Sequence, residues 1–298
     1  MDKPSIEWPS VAVVVPVYNA KRFLPRLLKS LRGLRYEGRK QIILVDNGST
    51  DGTYEELVRS EFQVLQFSGW KSSYACRNMG IRHTSAAVIA FTDADCRVDV
   101  NWLIEGVRAL KTSNADMIAG RVSFEFRNPK SAWEHRDALF NMDNEKAVES
   151  GHAKTANLFA LSSVFRTFEP FDEKALSGED AEWTGRATRQ GCVLQYCPTA
   201  VVYHPTRNMR ESVVKAFRVG QGFAGRRTTR RLSGTSLDIS LLLQVIRAGI
   251  PPNIKRYRRA YKGSVVEVSF ASVLVVGWAV SLVGAVGIIV DRVKKIFG

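Results

Sequence analysis

Four apolar, β-rich runs alternate with turns and helix-spaced stretches over the first hundred residues, and this alternation constrains the fold more than any other feature of the chain. Val11 to Pro16 is β-branched and closes at Pro16-Val17-Tyr18-Asn19; the stretch that follows places Phe23, Leu24, Leu27, Leu28 and Leu31 at helical spacing. Gln41 to Val45 is a second run. It leads through the turn-rich Asp46 to Thr53 into a helix from about Tyr54, with Asp51 expected as its cap. Val64 to Phe67 is a third short strand and Tyr74 to His83 a third helix. Val88 to Thr92 is a fourth strand, and it ends in Asp93-Ala94-Asp95. Strand, helix, strand in this order implies an α/β fold, a Rossmann-like sheet with right-handed crossovers, flanked by helices. No G-x-G-x-x-G follows the first strand, which disfavours a dinucleotide site.

A buried strand that ends in acids delivers them to the carboxyl edge of the sheet, where α/β proteins place their ligands. Two carboxylates two residues apart are hard oxygen donors suited to Mg²⁺ or Mn²⁺; the alternative is an ordinary strand-to-loop turn, where Asp is common. Beyond them, Trp102 to Leu110 reads as a helix and Met117 to Phe126 as strands of a second, mixed half of the sheet. Asn128 to Ser150 is polar and partly helical. Gly178-Glu179-Asp180 stands at the start of a helix expected over Ala181 to Gln190, where acids cap and complement the dipole. Val201 to Pro205 is a strand carrying His204, either structural or a ligand.

Pro16-Val17-Tyr18-Asn19, then Val45-Asp46-Asn47-Gly48-Ser49-Thr50-Asp51-Gly52-Thr53, then Arg77-Asn78-Met79-Gly80, then Asp93-Ala94-Asp95 resemble, in order, the signatures of the family 2 glycosyltransferases, which have the GT-A fold. The resemblance extends to about Pro205. It implies a metal-dependent, inverting transfer from a nucleotide-sugar donor, with UDP as the expected nucleotide. By the same resemblance Pro16, Tyr18, Asn19, Asp46, Arg77 and Asp93 bind the nucleotide-sugar, with Asp46 bonded to uracil. Asp95, with His204, would hold Mg²⁺ or Mn²⁺. Thr155 to Leu161 resembles the strand and turn bordering the acceptor, Gly178 and Glu179 lie on the acceptor side, and Asp180 matches the general base. An inverting displacement needs such a carboxylate to take the proton of the attacking hydroxyl. One departure is visible: the family often carries a second acid where this chain has Val45 or Asn47.

The net charge of +14 is concentrated between His204 and Lys262, where 14 Lys/Arg face only Glu211 and Asp238. Met209 to Arg231 reads as a basic amphipathic helix, with Arg218, Arg226, Arg227, Arg230 and Arg231, suited to an anionic membrane surface. Leu237 to Ile250 is a second short apolar stretch, ended by Pro251-Pro252. Val268 to Val290 is 23 residues without a charge, enough to cross the roughly 30 Å hydrocarbon core; the competing reading is a buried hydrophobic helix, or one lying in the interface. More cations precede it than follow it, which keeps the preceding domain cytoplasmic under the positive-inside rule. The expected organisation is a catalytic domain over 1–205, a basic membrane-interface segment over 206–262, and a C-terminal transmembrane helix with a short tail over 263–298. Four cysteines without C-x-x-C spacing argue against zinc and suit free thiols, and no secretory signal is visible at the N-terminus. A non-catalytic basic binding module is the competing class. It calls for missing catalytic acids, yet Asp95 and Asp180 are both present, and no nucleic acid is expected as a partner. The acceptor expected is a lipid-linked or glycan substrate at the cell membrane.

Overall fold

The computed structural model describes residues 8–228, 253–262 and 268–297. The chain divides into two compact units. The first comprises the described residues through Ser123, with Met142–Lys174 and Glu179–His204; the second comprises Phe124–Asn141, Ala175–Gly178 and the described residues from Pro205 on.

In the first unit, β1 (Val11–Val17), α1 (Leu24–Arg32), β2 (Lys40–Asp46), α2 (Thr53–Leu57), β3 (Gln63–Gln66), α3 (Ser73–Arg82) and β4 (Val88–Thr92) follow in the expected alternation. Then come β5 (Arg97–Val98), α4 (Trp102–Thr112), β6 (Met117–Glu125), α5 (Ala132–Phe140, in the second unit), α6 (Asn144–Glu149), β7 (Asn157–Leu161), α7 (Ser162–Thr167), α8 (Glu179–Arg189) and β8 (Leu194–Pro205). The eight strands are ordered β3-β2-β1-β4-β7-β6-β8-β5. β3, β2, β1 and β4 are parallel, while β7 runs antiparallel to both β4 and β6. The sheet is therefore mixed, as expected. Every residue of β1 and β4 is buried, the pattern of strands covered on both faces. Leu24, Leu27, Leu28 and Leu31 of α1 bury the face that their spacing implied.

Order 3-2-1-4 puts a topological switch between β1 and β4, and the carboxyl ends of β1, β2 and β4 meet there. Tight packing fixes that edge. A Cβ on Gly80 of α3 would lie 2.4 Å from Val14 Cγ1 of β1, so only glycine lets the helix lie so close to the strand. Asn157 locks the antiparallel side: fully buried, it accepts from Trp102 Nε1 (2.8 Å) and donates to the carbonyls of Ala200 (2.9 Å) and Arg121 (2.8 Å). One local expectation is corrected. The residue before α2 is Gly52, at φ 86°, with no side-chain cap; Asp51 instead accepts from the Thr53 amide (3.1 Å) and hydroxyl (2.5 Å) one residue further in.

The second unit is helical: α5, α9 (Met209–Thr228), α10 (Ile254–Lys262) and α11 (Phe270–Phe297). α9 and α11 approach backbone to backbone. A Cβ on Gly220 would fall 2.1 Å from the Gly284 carbonyl, and one on Gly287 would fall 2.3 Å from that of Phe217, the small-residue packing that apolar helices use. Phe140 of α5 packs its ring 4.2 Å from that of Tyr257 on α10. Phe270–Asp291 within α11 is long and apolar enough to cross a membrane. Leu237 to Ile250, Arg230 and Arg231 lie outside the described residues.

Candidate active site

Tyr18 and Asn19 follow β1, and Asn19 sits in the left-handed region at φ 46°, which asparagine tolerates better than most side chains. That turn knits two loops together. Asn19 N–H donates to Ser49 Oγ (2.9 Å), Thr50 N–H donates to Asn19 Oδ1 (2.8 Å), and Ala20 N–H donates to Thr53 Oγ1 (2.9 Å). Asp46 ends β2 with no exposed surface, and its carboxylate accepts the amides of Gly48 (3.0 Å) and Ser49 (3.1 Å). A carboxylate held in this way shapes the loop. Pro16 is likewise buried, opposite Val45 in the sheet. Among the groups that face outward are Tyr18, half exposed, and Lys71, whose Nζ donates to the carbonyls of Asn47 and Gly48 (2.7 Å each) and stands 4.5 Å above the Tyr18 ring.

Arg77 is 3% exposed, so it is not a solvated helix charge. Its guanidinium pairs with Asp93 at 2.5 Å, and its Nε is buried with no hydrogen-bond partner among the described residues. An arginine placed so deep needs a fixed anion, and Asp93 supplies one. Neighbouring Asn78 is structural: it donates to the Phe171 carbonyl (2.8 Å) and accepts from the Phe171 amide (3.2 Å), pinning the segment ahead of α8.

Asp95 lies on the other side of the turn, partly exposed, 3.3 Å from Nε2 of the fully buried His204. Cys96 completes a group whose ligand atoms all lie within 4.8 Å of one another. Burial first, and then the charges of Asp95 and Asp93, push the Cys96 thiol well above its usual range. Mn²⁺ and Mg²⁺ prefer hard donors, so the ligands suited to them in this group are a carboxylate oxygen and an imidazole nitrogen. That set fits Mn²⁺ or Mg²⁺ completed by a phosphate, and it does not resemble a thiolate zinc site.

Across the sheet edge, α8 begins with Glu179 and Asp180, immediately after Gly178 at φ 76°. Trp183 anchors the helix: fully buried, it stacks on Phe165 at 4.5 Å and packs on Phe171 at 5.0 Å. Glu179 is buried and accepts the Asp172 amide at 3.0 Å. Burial pushes its carboxyl up to about 7, against the opposing effect of that hydrogen bond. Asp180 is partly exposed, and its Oδ1 accepts the Ala181 amide at 2.9 Å. Tyr74 Oη accepts the Glu179 amide at 3.2 Å. Burial and the Asp180 charge push the Tyr74 phenol up to about 12.

Sequence reasoning missed Lys71 and Tyr74. Neither lies in a signature, and each acquires its role from a contact with a residue distant in sequence.

The sequence model described as "Glycosyl transferase family 2" matches residues 12–171. A curated relative, the Glycosyltransferase AglE of Haloferax volcanii, is 32% identical over 92% of this chain and 93% of its own. The Pre-mycofactocin glycosyltransferase of Mycobacterium tuberculosis is 30% identical over 66% of this chain and 43% of its own. Among solved structures, the mannosyltransferase PcManGT from Pyrobaculum calidifontis, in complex with GDP-Man and Mn²⁺, superposes with a TM-score of 0.62 at 16% identity, covering 98% of this chain and 88% of that one. TarS 1-349 of S. aureus, in complex with UDP, gives 0.54 at 14% identity over 91% and 90%. At such identities the two structures speak to the fold.

Proposed function

Because the chain belongs to glycosyl transferase family 2, we propose that it transfers a sugar, with inversion, from a nucleotide-sugar donor, UDP-linked, to a lipid-linked or glycan acceptor at the cytoplasmic face of the membrane. Tyr18 and Lys71 receive the nucleoside on loops shaped by Asn19 and Asp46. Arg77 fixes Asp93 beside the donor, while Asp95 and His204 are the residues that would hold the divalent cation. When bound, that cation supplies positive charge at the leaving diphosphate. Asp180 takes the proton of the acceptor hydroxyl as it attacks the anomeric carbon from the face opposite the nucleotide. Gly178 and Glu179 border the acceptor side.

The observation that carries this reading is the carboxyl end of β4, where two acids two residues apart stand in different electrostatic settings. Asp93 is neutralised by a buried arginine, whereas Asp95 faces an imidazole and solvent. Attachment to the membrane is supported by α11: Val275, Trp278, Leu282, Val286 and Ile289 are all exposed, and their spacing of three or four places them on one helical face suited to lipid. On this reading residues 1–205 carry the chemistry, 206–262 lie at the interface and 263–298 anchor the chain.

The test is a binding screen of UDP-, GDP- and dTDP-sugars with the purified protein, in Mn²⁺ and again in EDTA; GDP-Man and UDP are included because the solved relatives hold them. UDP-sugar binding that needs the cation is expected. Equal binding in EDTA would contradict the role given to Asp95.

A further inference from the structure

Tyr74 occupies a position that the proposed mechanism leaves unexplained. It lies in the first turn of α3, a helix capped by Ser72, whose Oγ accepts the Ala75 amide at 3.3 Å, so its backbone is held from the start. Tyr74 and Arg77 are three residues apart and share one helix face. The Arg77 guanidinium stands 5.5 Å from the centre of the Tyr74 ring, and the same guanidinium grips Asp93 at 2.5 Å. The opposite end of the tyrosine meets α8, where its hydroxyl accepts the Glu179 amide at 3.2 Å. The first amides of a helix have no partner within it, so an outside acceptor at that point decides where the helix begins and how it is aimed. Asp180 is the next residue. Among the described residues, Tyr74 is thus a single side chain that touches the guanidinium holding Asp93 and also the backbone that carries Asp180.

We propose that Tyr74 is a positioning residue for transfer, setting the Asp180 carboxylate against the donor side through a hydroxyl that caps α8 and a ring that backs Arg77. This rests on Asp180 being the base. The phenol transfers no proton in this role: it accepts one amide hydrogen bond and keeps its own hydrogen. Burial explains why a tyrosine is used. At 7% exposure the ring packs 5.9 Å from Phe171, so phenylalanine would fill the same space and hold Arg77 equally well, and the hydroxyl is the one part left to account for α8.

Tyr74→Phe removes that hydroxyl alone. In the full-length enzyme, kcat should fall about tenfold, the scale of losing one buried hydrogen bond at a group that must be aligned. The donor KM, UDP affinity and metal dependence should stay within about twofold, since the ring and the Arg77–Asp93 pair remain. A merely structural loss would lower kcat and donor affinity together along with the thermal midpoint. Combining Tyr74→Phe with Asp180→Asn supplies the second arm. If the tyrosine acts through Asp180, it should cost nothing further once that carboxylate is gone. Wild-type kcat in Tyr74→Phe, with Asp180→Asn inactive, would overturn the role of Tyr74 and leave the base in place. Full turnover in Asp180→Asn would overturn both, and parallel loss of kcat and UDP affinity in Tyr74→Phe would overturn the positioning role.

Discussion

Glu179→Gln should stabilise the protein at neutral and alkaline pH and do little in mild acid. The buried carboxyl has its pKa pushed from 4.5 to about 7 by desolvation. Between those values the folded state holds a proton that the unfolded chain has released, so stability falls as pH rises through the window and levels off above about 7. A shift of that size corresponds to about 3 kcal/mol at pH 8, at roughly 1.4 kcal/mol per unit, and to about 1 kcal/mol at pH 5. Glutamine keeps an oxygen for the Asp172 amide and cannot ionise, so it escapes the whole of this cost. At about 2–4 °C per kcal/mol for a domain of this size, the variant's midpoint should exceed that of the wild type by roughly 6–12 °C at pH 8, narrowing to a few degrees at pH 5. Differential scanning fluorimetry of both proteins in detergent across that range reads the effect. A difference that does not change with pH, or that grows toward acid, would show that Glu179 is not held in a desolvated site.

Three further substitutions test other parts of the account. Asp95→Asn should abolish Mn²⁺-dependent UDP binding in calorimetry while leaving the fold intact, because it removes the anionic oxygen donor that stands beside His204. Gly80→Ala should cost about 1–3 kcal/mol of stability by chemical denaturation, since its methyl would press on Val14 and push α3 away from β1. Leu282→Arg on the exposed face of α11 should reduce the fraction of protein that stays in the membrane pellet after carbonate washing, the insertion cost being about 2.5–3.5 kcal/mol near the centre of a span. An unchanged pellet fraction would place that face away from lipid.

The strands and helices of the parallel half of the sheet are legible because each pairs a local period with a clear stop. Val11 to Val17 is buried throughout, Leu24, Leu27, Leu28 and Leu31 fall on one helix face, and Val88 to Thr92 ends at its acids. Packing distances and burial are much less legible. Asp46 reads as a ligand-facing acid in sequence, yet its enclosure by its own loop depends on β2 being an inner strand. Tyr74 meets Glu179 across 105 residues, and Lys71 meets Asn47 across 24, separations that no local period encodes. Asp51 lies one residue too early to cap α2 because Gly52, at positive φ, takes the turn. Phe124–Asn141 belongs to the helical unit although its composition marks no seam with its neighbours.

The central claim is that α8 presents a base to an acceptor while the β4 edge holds the donor, and Asp180→Asn tests it most directly. Asp180 is the second residue of α8, where asparagine forgoes only the interaction of a carboxylate with the helix dipole, about 0.3–1 kcal/mol, so a merely structural role leaves stability and turnover nearly unchanged. Removing a general base lowers turnover by about 10² to 10⁴-fold without weakening a donor that never touches it. Transfer of sugar from UDP-sugar to a membrane-extract acceptor, UDP affinity and the thermal midpoint should be measured on one preparation of the full-length variant. The expected result is intact UDP binding, an unchanged midpoint and turnover reduced at least about a hundredfold; wild-type turnover would contradict the account.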